Sequence, residues 1–298
     1  MPLDSDMWAV ASGAAELFPA RAQLSKFPSV LYHYTSMDVL EKITNSRQIW
    51  TTNINYLNDT SEYIHARAFI ERVLAKRISD DKALRDVVET RIRNLPIVRD
   101  RELYLMSLSE VGDSLSQWRG YCSRGRGVAI GFLPKSLKDA ANKVALAAAL
   151  VKCAYTSKEK ERSIRLIDEY LGMVKASIER VEFKGTEADA DPFLEIMFYQ
   201  HGMEFKDASF KEEKEWRLVL DYDLAKVKPM RHFRMGLSTL VPYLKVDVGE
   251  DYHRTYIKEV VIGPNPQPES AQKSVKMLLR EHGLDTVVTG SQIPYRMW

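Results

Sequence analysis

The sequence predicts an α+β fold: a mainly antiparallel β-sheet core interrupted by helical insertions. Three observations predict it. Short β-branched and aromatic runs such as 103–109 (LYLMSLS) and 128–132 (VAIGF) recur along the chain. They do not alternate regularly with helices, as a doubly wound parallel sheet would require. Long charged helical patterns occupy 60–95 and 157–200, between the strands. About eight or nine short strands and about five or more helices are expected.

In order, residues 1–29 form a helical or irregular lead-in, and 30–298 form one domain. Val30–Thr35 is a strand. Ser36 is placed to cap a helix that carries Val39, Leu40 and Ile43 on one face. Ile49–Thr52 is a second strand, and Asn55–Asp59 is a loop. Asp59 and Glu62 have capping-box spacing ahead of a helix through about Arg77. A helix over about 81–95 stops at Pro96. Leu103–Ser109 and Val128–Phe132 are strands, with a helical turn over 114–119 and a turn at 125–127 between them. The alanine-rich stretch 136–150 reads as helix and 151–155 as strand. One long charged helix covers 157–182 and a polar break covers 184–192. A further helix is expected at 192–201, then a loop over 202–210 that delivers the chain into a strand, 213–221. Strands at 239–246 and 257–263 follow, then a helix at 269–282 that Gly283 closes, and a last strand at 286–289.

Composition excludes several classes. The 45% hydrophobic and 28% charged content are those of an ordinary globular protein. Net charge is +2, so no global field draws in nucleic acid or an anionic membrane, and a nucleic-acid contact would need a local basic groove. Two cysteines, Cys122 and Cys153, in unrelated settings argue against a disulfide framework and a zinc cluster. No apolar run has the length of a membrane span, and the acidic N-terminus is not a signal peptide. A reducing cytoplasm, no membrane partner and no resident metal are the expectations. Dinucleotide, P-loop, zinc-protease and esterase motifs are all missing.

Four constellations can carry chemistry. The first is Lys211–Leu220, KEEKEWRLVL. On a strand Glu213 and Glu215 leave the same face, and two close carboxylates disfavour joint ionisation. That suits acid–base work or stabilisation of a developing cation, although a solvated strand end has the same composition. The second is His33, Tyr34 and Thr35, able to hydrogen-bond a ribose or simply to fill a core. The third is Asn55–Asp59 with Tyr56, which also fits plain turn chemistry. The fourth joins Ser107 and Ser109 to Gln117, Trp118, Arg119 and Tyr121. There Arg119 can clamp a phosphate, and an aromatic ring can stack on a ligand.

LYHYTS, YLNDTSE, SLSE with SQWRGY, GVAIGF, EKEWRL and VVIGPNP occur here in one order. Together they resemble domain-of-unknown-function family 2971 of bacteria, from about Leu31 to the C-terminus. The chain also resembles, more loosely, the ADP-ribosyltransferases. That resemblance implies a split antiparallel core binding NAD as substrate. Its first strand carries His33, its middle strand Ser107 and Ser109, and its late strand Glu213 and Glu215. It implies Glu215 as the catalytic carboxylate acting through the ribose 2′-hydroxyl, and Glu213 as the group that orients or deprotonates the acceptor. Arg119 would meet the pyrophosphate, and His33 with Thr35 the adenosine-side ribose. Tyr34, Tyr56, Trp118 and Tyr121 are the candidates to stack on nicotinamide. The pattern departs from both main subtypes in its middle strand. The expected activity is ADP-ribose transfer to a macromolecule, protein or nucleic acid, or NAD hydrolysis, in a toxin or phage-defence setting. The alternatives are a nucleotide-binding sensor module without chemistry, and a metal-dependent hydrolase or nuclease using Glu213, Glu215 and a histidine.

Overall fold

The computed structural model describes residues 27–57, 60–94, 102–122, 125–145, 147–179, 194, 202–222, 230–236, 238–248 and 256–296. The contacts of the chain gather into two compact units. The first comprises 1–21, 57–101 and 153–208, and the second comprises 22–56, 102–152 and 209–298.

The second unit holds a 10-stranded sheet: β1 (Leu31–Ser36), β2 (Gln48–Asn53), β3 (Glu102–Ser109), β4 (Gly127–Phe132), β5 (Ala147–Lys152), β6 (Glu215–Tyr222), β7 (His232–Met235), β8 (Leu240–Asp247), β9 (Ile257–Ile262) and β10 (Val287–Gly290). The order runs β10-β9-β4-β1-β3-β2-β8-β7, and β6 lies against β3 with β5 beyond it. Every pairing is antiparallel except β9 with β10. The mixed α/β class with a mainly antiparallel sheet is therefore as the sequence predicts.

Period-two alternation decides the layers. Leu31, Ile49, Tyr104, Met106, Leu108, Val128, Ile130, Phe132, Trp216, Leu218, Leu220, Leu244, Val246 and Val260 share one buried cluster. Three helices cover that face: α1 (Met37–Ser46) through Leu40 and Ile43, α5 (Pro134–Val144) through Leu137 and Ala141, and α7 (Pro268–Glu281) through Val275 and Leu279. Each buried leucine or isoleucine removed from water contributes about 1.5–3 kcal/mol. Ser36 occupies the N-cap position of α1 in extended backbone geometry, but its side chain makes no capping hydrogen bond to the helix. Gly283 follows α7 with φ +70°, a left-handed conformation that favours glycine. On the opposite face the short helix α4 (Leu115–Tyr121) sets Trp118 against Tyr34, Ala129 and Val261.

The first unit is helical: α2 (Thr60–Ile78), α3 (Lys82–Asn94) and α6 (Ser157–Glu179). Ile70, Leu74, Val88, Ile167, Tyr170 and Val174 form its core. Helices stand where the insertions are expected over 60–94 and 157–179, and the rest of 180–200 lies outside the described residues, Leu194 apart. The expected helix at 192–201 and the polar break at 184–192 lie outside the described residues, Leu194 apart. The same is true of the lead-in up to residue 26.

Two elements differ from the sequence reading. The alanine-rich helix ends at Val144, and Ala147–Lys152 is a strand paired along its length with β6. Alanine's helix propensity yields here to ladder pairing and to burial of Ala148, Ala149 and Leu150. β7 is an additional strand, exposed at every position and therefore without the alternation that marks a half-buried strand.

Candidate functional site

Among the described residues the sheet opens along one edge of β3. β3 pairs along its whole length with β6, from Glu102↔Tyr222 to Ser109↔Glu215. Its other edge is shared between two strands: β2 takes Tyr104 and Leu105, while β1 meets β3 only at Tyr32↔Ser109. Between them the Ser107 carbonyl accepts a hydrogen bond from His33 Nδ1 at 2.9 Å. A carbonyl can only accept, so Nδ1 carries the proton in this bond. Burial lowers the His33 pKa below its ordinary value, against a smaller upward pull from the Ser107 carbonyl.

Register and alternation then sort the candidate residues. Tyr32, Ser109 and Glu215 form one row across β1, β3 and β6. Ser107 and Arg217 form the next pair along β3 and β6, on the same face. His33 and Thr35 pair with Ile130 and Val128, residues of the helix-covered core face. A cleft in which His33 and Thr35 face Glu215 from the same side of the sheet, as the resemblance implies, is not what the strands form. His33 reaches β3 through the gap in the ladder.

The acidic run also differs from the sequence reading. The strand begins at Glu215, and Glu213 belongs to a 3₁₀ turn, Ala208–Glu213. Lys214 between them has φ +43°, so strand alternation does not carry across to Glu213. The two glutamates are not neighbours on one strand face. Ser109 Oγ donates to the Glu213 carbonyl at 2.7 Å and accepts from the Val111 amide at 3.1 Å, which ties the end of β3 to this turn. Glu215 is buried, and so is Arg217. The guanidinium grips the carboxylate at both oxygens, Nε–Oε1 3.0 Å and Nη2–Oε2 3.2 Å. Positions i and i+2 of a strand share a face, and a planar fork matches a carboxylate there. Arg217 stands in the EKEWRL motif, but its role is not legible without the knowledge that this face is buried.

Glu110 was also missed. Its Oε1 accepts from Lys152 Nζ and from Trp216 Nε1, each at 2.7 Å. Desolvation raises its pKa, but the bonds from Lys152 and Trp216 outweigh that and leave it below the ordinary value.

The aromatic candidates divide by burial. Trp118 is fully buried, packs edge-on against Tyr34 at 4.6 Å, and donates Nε1 to Asp113 Oδ1 at 2.7 Å. Asp113 also accepts from Ser291 Oγ at 2.6 Å and from the Gln292 amide at 2.8 Å. Tyr34 donates to the Val111 carbonyl at 2.7 Å, and burial raises its pKa. These two rings, with the buried Gln117, are core. Tyr56 and Tyr121 expose their rings, and the Arg119 guanidinium lies over the Tyr295 ring at 4.9 Å. Tyr32 donates to Glu259, and a Cβ on Gly112 would stand 2.5 Å from the Tyr32 ring, so this close approach requires glycine. No group of three or more His, Cys, Asp or Glu residues able to hold a metal occurs among the described residues. No helix among them is long and apolar enough to cross a membrane.

Residues 117–218 match the family model described as "Protein of unknown function (DUF2971)". The matched segment runs from Gln117 in α4 to Leu218 in β6 and includes Arg119, Tyr121, Glu213, Glu215 and Arg217. It leaves His33, Ser107 and Ser109 outside, so it is shorter than the resemblance drawn from Leu31 onward. No curated protein and no solved structure matches the chain.

Proposed function

We propose that the sheet unit is the NAD-handling part of an ADP-ribosyltransferase-like enzyme, which transfers ADP-ribose to a macromolecule or hydrolyses NAD. One observation carries the reading. The three strands that bear the candidate histidine, serine and glutamate are neighbours, β1–β3–β6, and Tyr32, Ser109 and Glu215 make one row where β1 and β3 part. Strands far apart in sequence thereby bring a hydroxyl and a carboxylate to one row, while the His33 imidazole reaches the β3 backbone from the other face.

The chemistry follows from charge. Breaking the bond between the nicotinamide nitrogen and the ribose anomeric carbon builds positive charge on the ribose, and nicotinamide leaves with the bonding pair. A carboxylate aimed at that charge stabilises the transition state above the ground state. Glu215 serves in this role, with Arg217 as a positioning residue that holds both carboxylate oxygens. The acceptor hydroxyl, amine or water then forms the new bond to the anomeric carbon and gives its proton to Glu213. Arg119, exposed on α4, takes the pyrophosphate.

A second reading is favoured by the same ion pair. Arg217 already neutralises Glu215, which suits a module that binds a nucleotide without consuming it. Incubation with NAD, following nicotinamide release and melting temperature, separates the two. Release by the parent chain and none by a folded Glu215→Gln variant supports the enzyme. A raised melting temperature without release supports the binding module. Neither release nor stabilisation refutes both.

A further inference from the structure

The edge β2–β8–β7 carries a feature that the NAD reading does not use. The rings of Trp50 on β2, Tyr243 on β8 and His232 on β7 stand side by side across three adjacent strands. Trp50 and Tyr243 have centroids 4.3 Å apart and His232 and Tyr243 5.5 Å apart, both tilted by 31°. Cross-strand register explains the row: Tyr243 lies opposite His232 on one side and Thr52 on the other, and Trp50 is its diagonal neighbour. Trp50 and His232 are exposed at the two ends, while Tyr243 is buried between them. The face is the one opposite the helix-covered core, since Ile49, Leu244 and Val246 point the other way.

Two cations flank the row. Lys245 is the direct cross-strand partner of Trp50, and Arg234 lies on β7 two residues from His232. Arg234 touches only the Thr52 hydroxyl, at 3.4 Å, and neither cation holds an ion pair among the described residues. Flat rings at the ends of a row, with Lys245 opposite Trp50 and the Arg234 guanidinium reaching Thr52, fit bases that stack while their phosphates meet the cations.

We propose that this face binds single-stranded nucleic acid, with bases stacking on Trp50 and His232 and phosphates on Lys245 and Arg234. The inference goes beyond the NAD reading and stands without it. The overall charge of the chain is near neutral, so the contact is local and short, on the order of two to three nucleotides.

The test is fluorescence anisotropy of a labelled dodecamer of deoxythymidine at about 50 mM salt. The parent chain should bind it, and more tightly than a duplex of the same length. Trp50→Ala should weaken binding by roughly five- to a hundredfold, the range for loss of one stacked base. Trp50→Phe, which keeps a ring, should retain most of the affinity. Lys245→Ser should lower the slope of log affinity against log salt by about 0.7, one phosphate contact. Unchanged melting temperatures keep these effects separate from folding. The proposal is overturned by no binding of the dodecamer, by equal affinity for the duplex, by equal displacement with polyglutamate, or by a Trp50→Ala variant that binds as well as the parent.

Discussion

The Glu215–Arg217 pair supports a double-mutant prediction with a definite size. Both side chains are nearly excluded from solvent, at 6% and 7% exposure, and the nearest contact is 3.0 Å. At that distance and an effective dielectric of about 20, the gross attraction is about 5.5 kcal/mol. Desolvation of the two charges cancels much of it, so the pair is worth little relative to a well-packed apolar pair. Breaking it from one side is different, because a buried charge loses its counter-ion. Arg217→Met should cost about 3–5 kcal/mol, while Glu215→Gln together with Arg217→Met should cost clearly less than the two single changes added. Urea unfolding followed by tryptophan fluorescence measures this directly, since the buried Trp118 and Trp216 both report on the sheet unit. A coupling energy below about 0.5 kcal/mol, or an Arg217→Met variant within about 1 kcal/mol of the parent, would refute the account of a desolvated, mutually dependent pair.

Other consequences follow from the same geometry. His33 has a lowered folded-state pKa because burial opposes its charge, so the unfolded chain binds the extra proton first. Stability from this site is present above the unfolded value of about 6.5 and is lost as pH falls below it towards the folded value. His33→Asn, which can still donate to the Ser107 carbonyl, should flatten that part of the stability-against-pH curve; an unchanged acid slope would show that another group is responsible. The Cys122 thiol is buried, donates to the Thr35 carbonyl and has its pKa pushed up to about 12 by burial. It should resist a thiol reagent at pH 8 until the chain is unfolded, and rapid labelling of Cys122 in the native protein would contradict its packing. Gly283→Ala meets nothing within 4 Å, so its cost is the left-handed backbone alone, about 1 kcal/mol; a change below about 0.3 kcal/mol would show that this helix end relaxes.

The sequence by itself determined most of the strands and the helices around them. Runs such as Leu103–Ser109 and Val128–Phe132 read as strands, and Ser36 and Gly283 mark helix ends through the extended and left-handed backbone conformations they adopt. It also named the segments that meet at the gap, because His33, Ser109 and Glu215 each stand out against an apolar strand. What it could not supply was which strands are neighbours. Sheet order is set by packing between segments a hundred residues apart, and local propensity carries no information about that. Only the tertiary structure put β3 between β1 and β6, turned Ala147–Lys152 into a strand, moved Glu213 off the strand, and buried Trp118 against Tyr34. It also decided that Glu215 faces Arg217 instead of water. The reason is physical: a strand face tells which side chains share a side, and only the layer packed against that side decides whether a charge there must find a partner.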